Sequence, residues 1–346
     1  MDTGTTTKRW TAGVCQRVAA LSTTAALSLI IAACQPAAPP SPTAPPAKPA
    51  ASPAASPVAP AASPAASPVA PAASPAAPAA SPAASPAASP AAGGAAPPVV
   101  QIVARDFAFD APDNIAAGLT TIELRNTGNE PHHVQMLRLN DTVTIEQFTA
   151  ALAQGEGPAL ALVSLDGGVG TLGNGGSGEV VVDLRPGTFM LVCFVQSPDG
   201  IPHLAKGMVK PVRVAAAPAV AVPVAAPAIA GTVTMKDFSF DLPARMGTGR
   251  QTYRVVNEGP QQPHETNIVR LSEGKVAADI SSFFQAPAGP PPFAPQGGMQ
   301  GLSVNSSGFM VTQLTPGNYA AICLIPDPAS AKSHLELGMI KEFTVQ

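Results

Sequence analysis

From about residue 98 onward, short runs of branched and apolar residues recur, and clusters of Gly, Pro, Asn and Asp separate them. Val99–Ala104, Thr120–Asn126, Val134–Leu139, Glu179–Leu184 and Phe189–Val195 have the length of strands. Runs of this kind, closely punctuated by turn residues, predict an all-β sandwich. Two stretches depart from the pattern. Ile145–Ala153 and Val276–Phe284 carry apolar residues at helical spacing. A short helix is therefore expected between strands in each half, followed by a Gly- or Pro-rich loop over one end of the sandwich.

The whole pattern is written twice, at an offset of about 130 residues. Asp106-Phe-Ala-Phe-Asp-Ala-Pro112 matches Asp237-Phe-Ser-Phe-Asp-Leu-Pro243, and Asn126-Thr-Gly128 matches Asn257-Glu-Gly259. Pro131-His132 matches Pro263-His264, and the two copies close on Met208–Val214 and Met339–Val345. Two tandem β-sandwiches are expected, over residues 98–214 and 229–346, with an Ala/Pro/Val linker at 215–228.

Ahead of the repeats the pattern changes. Lys8, Arg9 and Arg17 precede an uncharged apolar run, Val18 to Ala33, which falls short of the ~20 residues of a membrane span. The run ends in Ile31-Ala32-Ala33-Cys34, which resembles the lipobox of bacterial lipoproteins. That resemblance implies a signal peptide over 1–34, cut before Cys34, and a lipid on the Cys34 thiol. The alternative is an ordinary signal peptide with a chance cysteine. Residues 35–97 are Ala, Pro and Ser in repeats such as Ser-Pro-Ala-Ala-Ser-Pro. With almost no large apolar side chain, such a tract cannot offset the entropy of folding, so a disordered tether is expected. As polyproline II, at about 3.1 Å per residue, it reaches up to roughly 200 Å.

A formal net charge of −3 argues against a nucleic-acid surface, which shows as a basic patch. Of the four cysteines, Cys15 leaves with the signal segment and Cys34 takes the lipid, so Cys193 and Cys323 remain. They fall at matching places in the two copies. Exported proteins use cysteine mainly in disulfides, yet neither has a partner in its own copy. A bridge between the copies is one reading. Metal ligation also accounts for the His and Met residues nearby.

Those neighbours recur in order. Pro186-Gly187-Thr-Phe189 leads to Cys193, followed by His203 and Met208; Pro316-Gly317-Asn-Tyr319 leads to Cys323, followed by His334 and Met339. A soft thiolate, two imidazoles and a weak thioether suit electron-transfer copper. The same order resembles the cupredoxins, the plastocyanin and azurin family of blue copper proteins, and the resemblance covers nearly all of residues 98–346. It implies an all-β chain of two tandem cupredoxin-like Greek-key β-sandwiches, each with a short inserted helix. It also implies His132, Cys193, His203 and Met208 as ligands of one copper ion, with His264, Cys323, His334 and Met339 as ligands of a second.

The loops depart from the family. Phe194–Pro202 and Leu324–Ser333 separate each Cys from its His by more residues than plastocyanin-like sequences use. They either fold back to place the His beside the Cys or leave it in solvent. His133 and Glu265, the residues after the first His, also differ between the copies, and His133 reads as a surface or supporting residue.

Three functions are open: an electron carrier with one type 1 copper ion per copy, a copper enzyme, and a copper-storing or copper-free surface binding module. Four of the five His residues are used by the two sites, which leaves too few for a catalytic copper cluster. No hydrolase elbow, Walker loop or zinc-protease motif is present. The expectation is a non-enzymatic carrier, anchored to the cell envelope by lipid, facing away from the cytoplasm and exchanging electrons with redox proteins there.

Overall fold

A computed structural model describes residues 94–217 and 223–346. The signal segment, Cys34 and the tether up to residue 93 lie outside the described residues. Among those described, no helix is long and apolar enough to cross a membrane.

The first copy contains strands β1 (Val99–Arg105), β2 (Ala108–Asp110), β3 (Asn114–Ala116), β4 (Gly118–Asn126) and β5 (Gln135–Leu139). Helices α1 (Ile145–Leu152) and α2 (Glu156–Leu160) follow, then β6 (Val163–Leu165), β7 (Ser177–Leu184), β8 (Gly187–Val192) and β9 (Val209–Ala215). The second copy runs β10 (Gly231–Lys236), β11 (Ser239–Asp241), β12 (Gly249–Asn257) and β13 (His264–Leu271). It continues with α3 (Ala277–Gln285), β14 (Phe293–Leu302), β15 (Ser307–Leu314), β16 (Gly317–Ile322) and β17 (Ile340–Val345).

β1 and β10 alternate buried and more exposed positions, whereas β5, β8, β13 and β16 are buried at consecutive ones, and the strands form two layers per copy. β2-β1-β4-β7 packs over β3-β9-β8-β5-β6, and β11-β10-β12-β15 over β14-β13-β16-β17. The strand order makes each unit a cupredoxin-like Greek-key sandwich. α1 starts at a capping box in which Thr144 and Gln147 satisfy each other's backbone N–H, and it buries Phe148 against the outer face of the sheet. α2 is a second helical turn that the periodicity did not predict. The run Phe189–Val195 is strand only as far as Val192, because Cys193 turns away to bond the Met208 carbonyl (3.3 Å). The end of the Ala/Pro/Ser tract is also ordered: Ala95 exchanges backbone bonds with Pro223 and Ala225 of the linker.

The Gly-rich segments after the helices were expected to form loops over one end of each sandwich. They pair with one another instead. Gly167 N–H donates to the Gly301 carbonyl (2.9 Å) and Gly297 N–H to the Thr171 carbonyl (2.8 Å). Gly170 N–H donates to Gly298 O (3.0 Å) and Gln300 N–H to Gly168 O (2.9 Å). Each bond maps onto another when the copies are exchanged, so the junction has the self-complementarity of a two-fold dimer within one chain. β7 and β15 pair antiparallel beside it, with Val180 opposite Met310, and fuse the outer sheets into one of eight strands. A Cβ on Gly170 would come within 2.6 Å of the Gly297 carbonyl, so the close approach requires glycine. One hydrophobic core runs through both copies, with Val169, Leu172, Met299 and Leu302 at the junction.

Candidate metal centres

Three elements of each sandwich converge at one end of its core. Asn126, at the end of β4, folds the following turn: its side-chain oxygen accepts from Gly128 N–H (2.9 Å) and its amide donates to Glu130 O (2.8 Å). The turn delivers His132 to the core. A Cβ on Gly128 would lie 2.7 Å from His132 Nε2 and on top of Asp106 Oδ1, so the turn tolerates only glycine there. Cys193 leaves β8, and the long loop after it folds back through His203 N–H to Val195 O (2.8 Å) and Leu204 N–H to Cys193 O (3.0 Å). A 3₁₀ turn, His203–Lys206, then ends at Gly207 with φ 104° and leads into buried Met208. The second copy repeats this with His334 N–H to Ile325 O (2.9 Å) and Leu335 N–H to Cys323 O (2.8 Å).

His132, Cys193 and His203 are fully buried and lie together, as do His264, Cys323 and His334. Cys193 Sγ is 3.9 Å from His132 Nδ1 and 3.5 Å from His203 Nδ1. Cys323 Sγ is 3.3 Å from His334 Nδ1. In both copies the two Nδ1 atoms are 3.0 Å apart. Both cysteines are free, so no disulfide joins the copies. Met208 and Met339 are buried and follow directly, their N–H groups bonded to the His203 and His334 carbonyls.

The far side of each ring explains its orientation. His132 Nε2 faces Asp106 Oδ1 at 3.1 Å and His203 Nε2 faces Glu130 Oε2 at 2.9 Å. In the second copy His264 Nε2 meets Asp237 Oδ1 at 3.0 Å, while His334 Nε2 meets Gln262 Oε1 at 2.8 Å. Gln262 donates its amide to Asp327 (2.9 Å), which fixes which of its ends faces the ring. All four partners accept, so each Nε2 carries the proton and each Nδ1 of a neutral ring is a bare lone pair. Burial holds His132 and His264 below the ordinary imidazole range, and burial with the His264 charge brings His334 to about 4. Two bare lone pairs at 3.0 Å repel unless a cation lies between them and the sulfur. The donor set and its arrangement therefore fit type 1 copper, one ion per sandwich and up to two in all.

The sulfur is prepared as well. In the second copy the Glu265 backbone N–H donates to Cys323 Sγ (3.5 Å). Burial nevertheless raises the metal-free Cys193 thiol to about 12 and the Cys323 thiol well above its ordinary range. Burial opposes the charge on Asp106, but N–H groups of Asn129 and Glu130 and the His132 ring hold its carboxyl well below the usual range. Phe107 and Phe238, at left-handed φ of 66° and 60°, set their ring edges against His203 and His334.

His133 is not a surface residue. It is 7% exposed and its Nε2 accepts the N–H of Phe194 (2.9 Å). Glu265 does the same for Leu324 (2.8 Å), so two different side chains clamp the residue after each cysteine. The partners Asp106, Glu130, Asp237 and Gln262 were missed at the sequence level, although the repeated Asp-Phe-x-Phe-Asp phrase marked two of them.

No protein-family model and no curated protein matches the chain. Among solved structures it is similar to dithionite-reduced auracyanin from Roseiflexus castenholzii (21% identity, 35% of this chain and 99% of that one, TM-score 0.24). It is also similar to auracyanin A, a "blue" copper protein of Chloroflexus aurantiacus (20% identity, 34% of this chain and 99% of that one, TM-score 0.22). A multicopper oxidase matches at 15% identity over 72% of this chain and 88% of its own, with a TM-score of 0.22.

Proposed function

We propose that the protein is an electron carrier with a type 1 copper site in each sandwich, and not an enzyme. The observation that carries this reading is the pair of buried Nδ1 atoms 3.0 Å apart beside a cysteine sulfur, built twice. Copper, when bound, supplies a one-electron couple. The chain's own residues hold the donors still: Asp106 and Glu130 fix the rings of the first centre, Asp237 and Gln262 those of the second. Met208 and Met339, buried beside the donors, would add a weak thioether sulfur when copper is bound. Rings clamped from behind on a β framework need little rearrangement when the charge between them changes. Against an oxidase stands the histidine inventory: four of five belong to the two centres and His133 is committed to Phe194. Cys34 would anchor the chain by lipid to the cell envelope, outside the cytoplasm, with redox proteins as partners and no nucleic acid.

The test is a Cu(II) titration of the purified protein followed by visible spectroscopy. An intense thiolate band near ~600 nm is expected, halved by Cys193→Ser or Cys323→Ser and abolished by both together. A folded protein that develops no band would be a binding module on this fold instead.

A further inference from the structure

A chain of buried and half-buried polar groups runs from one centre to the other. Phe194, next to Cys193, donates its N–H to His133 Nε2 (2.9 Å), which leaves the ring proton on Nδ1. That nitrogen faces Thr171 Oγ1 at 3.5 Å. Thr171 N–H crosses the junction and donates to Asn267 Oδ1 (3.1 Å). The same oxygen accepts from Gln300 (3.1 Å), and Asn267 and Glu265, two residues apart on one face of β13, are joined through the Thr266 backbone. Glu265 Oε1 in turn accepts the N–H of Leu324 (2.8 Å), the neighbour of Cys323.

The two cysteines are thus joined by covalent and hydrogen bonds without a gap. Asn267 and Glu265 are 3% and 5% exposed, depths at which an imidazole, an amide and a carboxyl are costly unless paired. The two-fold symmetry of the junction does not account for the chain. Gln135, the counterpart of Asn267, bonds the Gly301 carbonyl (3.1 Å), and Gly301 has no hydroxyl with which to repeat the contact that Thr171 makes with His133. The connection is made once.

We propose that Phe194–His133–Thr171–Asn267–Glu265–Leu324 is the route by which an electron passes between the two centres; this rests on the electron-carrier reading above. Electronic coupling falls off more slowly through bonds and hydrogen bonds than across packed apolar side chains. One electron moves, leaving one centre oxidised and the other reduced. No covalent bond changes, and every proton of the chain stays on its atom. The residues between the centres are positioning residues that keep the route closed.

The experiment uses the copper-loaded full chain and its Thr171→Val, Thr171→Ser and Asn267→Leu variants. A single electron is injected per molecule by pulse radiolysis, and freeze-quenched EPR follows its redistribution between the centres, which differ in Glu130 against Gln262. A fast redistribution phase is expected in the native and Ser proteins and its loss in the Val and Leu variants, with both thiolate bands intact. In metal-free protein, nitrogen-edited NMR should show a slowly exchanging His133 Nδ1 proton that Thr171→Val exposes and Thr171→Ser restores. An unchanged fast phase in Thr171→Val and Asn267→Leu overturns the route while leaving the carrier reading in place. An unprotected His133 proton in the native protein overturns it too. A protein that forms no thiolate band overturns the carrier reading, and the route with it.

Discussion

Behind one ring the two centres differ in charge: Glu130 offers His203 a carboxylate oxygen where Gln262 offers His334 an amide oxygen. A carboxylate behind a ligand ring makes the ring more basic and favours the higher charge between the donors. Glu130→Gln should therefore raise the potential of the first centre and Gln262→Glu lower that of the second. Each shift should reach about 60 mV, the tenfold step of a one-electron couple, read by spectroelectrochemistry. Loading should depend on pH because burial lifts the Cys193 thiol to about 12, so the metal-free group is protonated at neutrality and must lose its proton to bind. Apparent copper affinity should rise about tenfold per pH unit for each proton displaced, measured by competition with a chelator of known affinity. The His and Cys residues that the structure brings together stood out in the sequence because their types recur in the same order in both copies. The partners Asp106, Glu130, Asp237 and Gln262 were not read as such, because each contacts a ring fixed by a distant stretch of chain. His133 and Glu265 were misleading for another reason. They share no chemistry but acceptance of one N–H, so their difference masked a common task.

At the level of elements, local periodicity carried most of the information. The strands and helices α1 and α3 stand close to where alternation and helical spacing placed them, and the capping box at Thr144 marks where α1 begins. Phe148 is the anchor of that helix, 1% exposed against the outer face of the sheet. Phe148→Ala should cost about 3–5 kcal/mol in urea unfolding while leaving the copper spectrum unchanged, because its cluster is separate from the core that holds the donors. The Gly-rich segments were illegible for a physical reason. Glycine has no side chain to show a period, and their partners lie in the other copy. The return of the long loops after Cys193 and Cys323 was left open by the sequence, and two backbone bonds in each copy decide it.

At the scale of the molecule, the eight-stranded sheet and the shared core bind the two sandwiches into one cooperative unit. Thermal unfolding of the metal-free protein should show a single transition whose calorimetric and van't Hoff enthalpies agree. Gly170→Val, which forces a side chain against the Gly297 carbonyl, should separate it into two. The pairing of β7 with β15 has a further consequence. In a lone sandwich β7 would be an open eight-residue edge carrying Val180, Val181 and Val182, a ready template for strands of another molecule. Here each such edge is spent on its twin, and the strands left at the rims of the sheet, β2 and β11, are three residues long. Doubling the sandwich within one chain therefore also protects the protein against the uncontrolled association that a single copy would invite.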